Sequence, residues 1–274
     1  MSGGAGKAYD LTRTEHDYPP REGPPARTVL IATHPRSGSS LLAEALYFAG
    51  GLGCPIEYFH RGFRPGLAAR WGTASLAEHV AAVHRHRTEP AGTLGVKIFW
   101  RDVAEMAAER DPDRFALLPD MIPDAVTAED YRAIAALLEP ILPNPRFVHL
   151  ERTDRVRAAV SGLAAVQTGL FRVTPDTDTQ SAKAVAYDFD RIDGLIAQSD
   201  FAHGHWRNYF AATGVKPLAL TYEQLAADYG AAVRRVLDGL GCDAPVPPAR
   251  MRRQADVGNE ALVLRYLRER AALP

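Results

Sequence analysis

Short runs of β-branched and aliphatic residues alternate along the chain with longer stretches whose apolar positions recur at helical spacing. The first run, Thr28-Val-Leu-Ile-Ala-Thr33, gives way to a small-residue segment, Pro35-Arg-Ser-Gly-Ser-Ser40, and apolar residues resume at 41, 42, 45, 46 and 49. Steps of three and four predict a helix that begins directly after the turn. Three further runs read as strands: Leu94–Trp100, Arg146–Leu150 and Pro217–Tyr222. Helical periodicity marks 128–138, 155–170, 224–240 and a long stretch over 184–212 that Gly204 interrupts. Pro143-Asn-Pro145 ends one helix and launches a strand, and Gly214 is placed to close the long helix. Strands that alternate with helices predict an α/β fold, a central parallel sheet flanked by helices on both faces. Residues 1–26, rich in Gly, Pro and charge, are expected to form a flexible leader, and 27–274 a single α/β domain.

The turn after the first strand carries the clearest chemistry. A buried strand, a tight small-residue turn and a helix N-terminus together make a P-loop-like anion cradle, because the first helical turn offers unpaired N–H groups and a positive dipole end. Gly38 permits close backbone approach, and Arg36 and the serine hydroxyls add donors. The pattern is not that of a nucleoside triphosphatase, since no Gly-Lys-Ser/Thr follows the strand and the cation precedes the glycine. A serine-rich turn that simply caps a helix is the structural alternative. In parallel sheets ligands gather at the carboxyl ends of strands. This singles out Arg152, just after the run ending at Leu150, with Ser161 on the following helix; pairing of Arg152 with Asp154 is the ordinary alternative.

Composition narrows the choice of partner. A net charge of −1 provides no global basic field for nucleic acid. The two cysteines, Cys54 and Cys242, lack metal-ligand spacing and suit a reducing compartment. The nine histidines form no H-E-x-x-H motif, so no catalytic metal is expected. No apolar segment is long enough to span a bilayer and no signal-peptide core is seen at the start, so a cytoplasmic location is expected.

Several segments in order, His34-Pro-Arg-Ser-Gly-Ser-Ser-Leu-Leu42, Pro55-Ile-Glu-Tyr-Phe59, Gly95-Val-Lys-Ile-Phe-Trp100, Arg152-Thr-Asp-Arg-Val-Arg-Ala-Ala-Val-Ser161, Ala165-Val-Gln-Thr168, His205-Trp-Arg207, Tyr222-Glu223 and Arg253-Gln-Ala-Asp256, resemble the bacterial sulfotransferases typified by the mycobacterial trehalose 2-sulfotransferase. The resemblance implies a sulfotransferase-like fold and a direct in-line transfer of a sulfuryl group from 3′-phosphoadenosine 5′-phosphosulfate (PAPS) to a hydroxyl, leaving adenosine 3′,5′-bisphosphate (PAP). It implies that Arg36 and the backbone N–H groups of Ser37, Gly38, Ser39 and Ser40 hold the 5′-phosphate. It assigns Arg152 and Ser161 to the 3′-phosphate, with Tyr222 and Arg253 completing the cofactor pocket. Glu57 is implied as general base, and a carboxyl set among Pro55, Ile56, Tyr58 and Phe59 is partly desolvated, which strengthens it for that task. His60 is the strongest rival, with His34 and His149 further candidates. Lys97 is expected to neutralise the sulfuryl oxygens or orient the acceptor, and 61–88 to help form the acceptor side. A sugar, glycolipid or glycosylated natural product is the implied acceptor class, and a homodimer the implied assembly. The alternatives are an ATP-dependent small-molecule kinase, disfavoured by the missing Walker lysine, and a catalytically silent nucleotide-binding protein.

Overall fold

The computed structural model describes residues 10–172, 184–251 and 257–273. Its described residues hold a sheet of four parallel strands, β1 (Arg27–Thr33), β2 (Thr93–Phe99), β3 (Pro145–Glu151) and β4 (Leu218–Thr221), in the order β2-β1-β3-β4. β2 is buried at every position and β1 at all but its first, which is why both read as near-continuous apolar runs instead of alternating ones. On one face Val29, Ile31, Val148 and Leu150 pack against α1 (Ser39–Ala49) and α10 (Tyr229–Gly239). On the other, Leu30, Ala32, Val96, Ile98 and Phe147 meet α3 (Leu76–Arg87), α4 (Trp100–Arg110), α6 (Ala128–Leu138) and α8 (Phe189–Thr213). A third apolar cluster joins α7 (Arg155–Thr168), α8 and α11 (Val257–Ala271) through Val160, Leu163, Ile192, Val263 and Tyr266. None of the described helices is long and apolar enough to cross a membrane.

The predicted elements are present, with differences at their ends that have local causes. The strand expected to end at Trp100 stops at Phe99, because the Asp102 carboxylate accepts the Phe99 N–H and starts α4 at Trp100. Likewise Tyr222 begins α9 (Tyr222–Ala227), which Thr221 caps by accepting the Gln224 N–H. The expected 224–240 helix is two, divided at Asp228, whose side chain accepts the Ala231 N–H and nucleates α10. α8 begins at Phe189, capped by Asp188, and runs through Gly204 uninterrupted to a left-handed cap at Gly214. Residues 61–88, assigned no element from the sequence, hold α2 (Arg64–Trp71) and α3.

The leader expected over 1–26 is not loose in its described part. Leu11 is buried in the main core. The guanidinium of Arg87, 0% exposed, donates to the carbonyls of Leu11, Thr12, Arg13 and His16 and ion-pairs with Asp17 at 2.9 Å. Arg70 also pairs with Asp17 at 2.9 Å and donates to the Thr12 carbonyl. A buried cation bonded to four carbonyls and one carboxylate of a single strap of chain costs heavily if removed, since the partners stay behind unsatisfied. We expect Arg87→Leu to lower unfolding free energy by about 3 kcal/mol in urea titrations and to open residues 10–18 to limited proteolysis. A loss within experimental error would show that the strap is not held by this side chain.

Candidate active site

The turn leaving β1 is held in an unusual backbone conformation: Arg36 has φ +68° and Gly38 φ +82°. A Cβ on Gly38 would lie 2.8 Å from the Tyr222 ring, so the position has neither the torsional nor the spatial room for a side chain. Gly38 is also the N-cap of α1 and supplies no side-chain cap. The first-turn N–H groups of α1 therefore stand at a cleft lined by Gly38, Ser39 and Ser40. Ser37 departs from expectation: its hydroxyl donates to the His34 carbonyl at 2.6 Å and meets Thr33 Oγ1 at 2.6 Å, so it braces the turn instead of offering a donor to the cleft. Thr33 in turn donates to the Leu150 carbonyl at 2.7 Å, tying the turn to β3.

Two arginines converge on this cleft, whose volume is about 360 Å³. Arg36 Nε donates to Ser161 Oγ at 3.0 Å and its Nη1 to the Phe171 carbonyl at 2.8 Å. Arg152 donates to the Arg36 carbonyl at 3.3 Å and lies 4.3 Å over the Tyr222 ring. Burial, followed by the Arg152 charge, lowers the pKa of Arg36. Two cations pressed together under desolvation make a site whose electrostatics favour an anion. The far wall comes from α11, where Asn259, Glu260 and Val263 line the cleft and Glu260 pairs with Arg157 at 2.6 Å. No motif drew attention to α11, whose contribution depends entirely on tertiary placement.

A second group of polar side chains adjoins the cradle. Residues 52–56 pass close over β2, where a Cβ on Gly95 would lie 2.5 Å from the Leu52 carbonyl oxygen. Ile56 then bridges to Val96 along the outer edge of β2, accepting the Lys97 N–H at 3.0 Å. That register brings Glu57 beside Lys97, and Lys97 Nζ sits 2.9 Å from Glu57 Oε1 and 3.0 Å from Ser40 Oγ. Lys97 and Glu57 are mostly buried, with side chains 10% and 13% exposed. Asp102 lies near this pair, and burial first, with the Glu57 charge adding, pushes its carboxyl up to about 7. Its Oδ2 takes the Phe99 N–H, while buried Oδ1 has no hydrogen-bond partner among the described residues. His60 is engaged elsewhere: its Nδ1 accepts the Gly62 N–H at 3.1 Å and its ring lies edge-on to Phe99.

Of the residues singled out in the sequence, Arg36, Gly38, Ser39, Ser40, Arg152, Ser161 and Tyr222 share one cleft, and Glu57 and Lys97 adjoin it through Ser40. Arg253 lies outside the described residues. Of the same basic stretch, Met251 lines the cleft and Arg250 lies 3.9 Å over the Phe48 ring. Burial lowers the pKa of both His34, pushed down to about 4, and His149. The sequence reading missed Asp102, whose position at the first turn of α4 only the fold reveals.

The sequence profile described as Stf0 sulphotransferase matches residues 28–269. The trehalose 2-sulfotransferase of Mycobacterium tuberculosis (strain Erdman) is 32% identical over 275 residues, covering 90% of this chain and 98% of the relative. That of Mycolicibacterium smegmatis is 27% identical over 256 residues, covering 88% and 94%. The sulfotransferase domain of the Synechococcus PCC 7002 olefin synthase aligns over 90% of this chain and 97% of its own, with 15% identity and a TM-score of 0.38.

Two outcomes follow from the geometry. Gly38→Ala should cost about 1–2 kcal/mol of stability through its left-handed backbone alone. Its effect should be non-additive with Tyr222→Ala, which removes the clashing ring; additive losses in urea titrations would contradict the close approach. Asp102 has its folded pKa raised from 3.8 to about 7, so between those values the folded protein holds a proton that the unfolded chain has released. Its contribution is full below about pH 4 and is lost as pH rises towards 7. The urea midpoint of Asp102→Asn should therefore gain on wild type as pH is raised from 4 to 7; a constant difference would exclude the raised pKa.

Proposed function

Because the chain belongs to the Stf0 sulphotransferase family, we propose that it transfers a sulfuryl group from PAPS to a hydroxyl of a sugar-containing acceptor, with Glu57 as general base. The observation that carries this reading is the Lys97 ammonium bonded to both Glu57 and Ser40, which joins a mostly buried carboxylate to the rim of the anion cradle.

The cleft suits a donor with two separate anionic groups. The α1 N-terminus and Arg36 would take one, and Arg152 with Ser161 the other; their bonds already interlock, since Arg36 holds Ser161 and Arg152 holds the Arg36 carbonyl. An anion there offsets the mutual repulsion of the two guanidinium groups. Tyr222, lying under Arg152, adds an aromatic face at the same wall. When bound, the donor supplies an activated sulfur whose link to its phosphate oxygen breaks as the acceptor oxygen attaches.

This chain's residues prepare the acceptor for that exchange. Glu57 takes the proton of the attacking hydroxyl, which requires the carboxylate to be ionised and within hydrogen-bond reach. Lys97 holds the carboxylate in place and carries positive charge between base and cradle, where negative charge builds on the transferring group. Burial of both side chains limits competition from water. The names of the mycobacterial relatives, which specify trehalose, support a disaccharide or another polyhydroxylated sugar as the acceptor.

Thermal and chemical stability with ligand tests the donor. PAP at a hundredfold excess over its dissociation constant should add about 2.7 kcal/mol, and Arg152→Ala should abolish most of that gain. Stabilisation by ATP with magnesium and not by PAP would put phosphoryl transfer first, and stabilisation by neither would favour a silent fold. With PAPS and trehalose or a panel of sugars, Glu57→Gln should lose about 10²-fold or more in turnover while retaining the PAP shift. Near-full transfer by that variant would remove Glu57 from its role.

A further inference from the structure

The face of the sheet opposite Lys97 carries a different constellation at the same carboxyl end. His149 and Glu151, two residues apart on β3, point to one side, and His203 meets them from α8. One donor atom from each of the three lies within 4.8 Å of the others. His149 Nε2 and His203 Nδ1 are 3.2 Å apart. Both imidazoles are buried, at 8% and 1% exposure. We propose that His149, Glu151 and His203 form a binding site for a borderline divalent transition-metal ion of the zinc class.

The spacing and the chemistry fit such an ion. Two nitrogens bound tetrahedrally at about 2.0–2.1 Å stand roughly 3.3 Å apart, close to the observed separation. A hydrogen-bonded imidazole pair alone accounts for that distance, but it does not call for a carboxylate in reach of both rings. Two imidazoles and one carboxylate are a ligand set that suits zinc and cobalt and leaves a position for water. Glu151 also meets Arg155 and Arg207, which at first sight opposes a further cation. Asp200 pairs with Arg155 at 2.9 Å, however, so two carboxylates offset two guanidinium groups and the surroundings are neutral overall. Phe210, edge-on to His149 at 5.4 Å, provides an apolar wall of the kind that fixes ligand orientation. An ion here would join the tip of β3 to α8, one residue before Arg152. No short motif reveals the set, because 51 residues separate Glu151 from His203.

Tag-free, full-length protein stripped with chelator should bind one equivalent of Co²⁺, read by visible d–d absorption, and Zn²⁺ should displace it. His203→Gln and Glu151→Gln should each weaken Co²⁺ binding by at least tenfold, whereas His86→Gln, on α3 and outside the cluster, should leave it unchanged. Should His203→Gln fail to fold by circular dichroism, Glu151→Gln decides, since its carboxylate is partly exposed. Folded wild-type protein that takes up neither metal overturns the site and identifies the histidines as a hydrogen-bonded pair. Wild-type affinity in the folded ligand variants overturns it equally. Neither result bears on PAP binding, which is measured separately.

Discussion

The left-handed backbone at Arg36 and Gly38 is the constraint on which the rest of the site depends. A non-glycine residue held at φ +68° costs on the order of 1 kcal/mol or more and persists only where its surroundings over-determine it. Those surroundings are visible. Thr33 donates to the Leu150 carbonyl of β3, the Ser37 hydroxyl lies 2.6 Å from both Thr33 Oγ1 and the His34 carbonyl, and Trp206 of α8 donates to the Thr33 carbonyl at 3.4 Å. The turn is thus braced from both faces of the sheet. Its reversal sends the Arg36 side chain across to Ser161 on α7 and leaves the α1 N-terminus open to the cleft. A relaxed turn would give up both.

Charge in the site is divided by Lys97. An ammonium has three protons, and the bonds to Ser40 and Glu57 use two of them. The lysine is therefore fixed before any ligand arrives, and little side-chain entropy remains to be lost when a third acceptor engages. Positive charge is concentrated on the cradle side, at Arg36 and Arg152, and negative charge on the far side of Lys97, at Glu57. Asp102 is the exception that preserves this division. Deep burial holds it largely neutral at mildly acidic pH, so it does not compete with Glu57 for the lysine there.

How much of this was legible follows from what each residue depends on. The strand–turn–helix of the cradle could be read directly, because a β-branched run, a small-residue turn and a helical stripe are local features. Helix 128–138 was legible for the same reason, with Thr127 and Asp130 forming a capping box at its start. The strand ends were misplaced where a helix cap decides the boundary, as Asp102, three residues beyond Phe99, does for β2 and Thr221, the last residue of the strand itself, does for β4. The residues 10–26 were misread because their composition suggests solvent, whereas a fully buried arginine over 70 residues away satisfies their carbonyls. The role of Glu57 was implied only by resemblance, and its contact with Lys97 was not read at all; that contact depends on residues 52–56 passing close over β2, which a glycine at 95 permits. The cleft wall from α11 had no local signal at all.

The alternation of side chains along parallel strands explains how one sheet end holds two unlike environments. On β1 and β2, Ile31 and Lys97 share a face, so the lysine emerges where α1 begins and where an anion cradle can use it. On β3, Val148 and Leu150 face that same side as core, while His149 and Glu151 are turned towards α8. A one-residue slip of β3 would put imidazole and carboxylate against α1 and leave aliphatic side chains under α8. Register is therefore enforced from both directions: Val148 and Leu150 belong to one apolar core, and on the opposite face His149 meets His203 of α8 at hydrogen-bond distance. Arg152 leaves the end of β3 with its direction already set by that register, which is how it comes to lie over Tyr222 and against the turn at Arg36. The position of the second guanidinium group in the cleft is thus a consequence of packing two residues earlier on the strand.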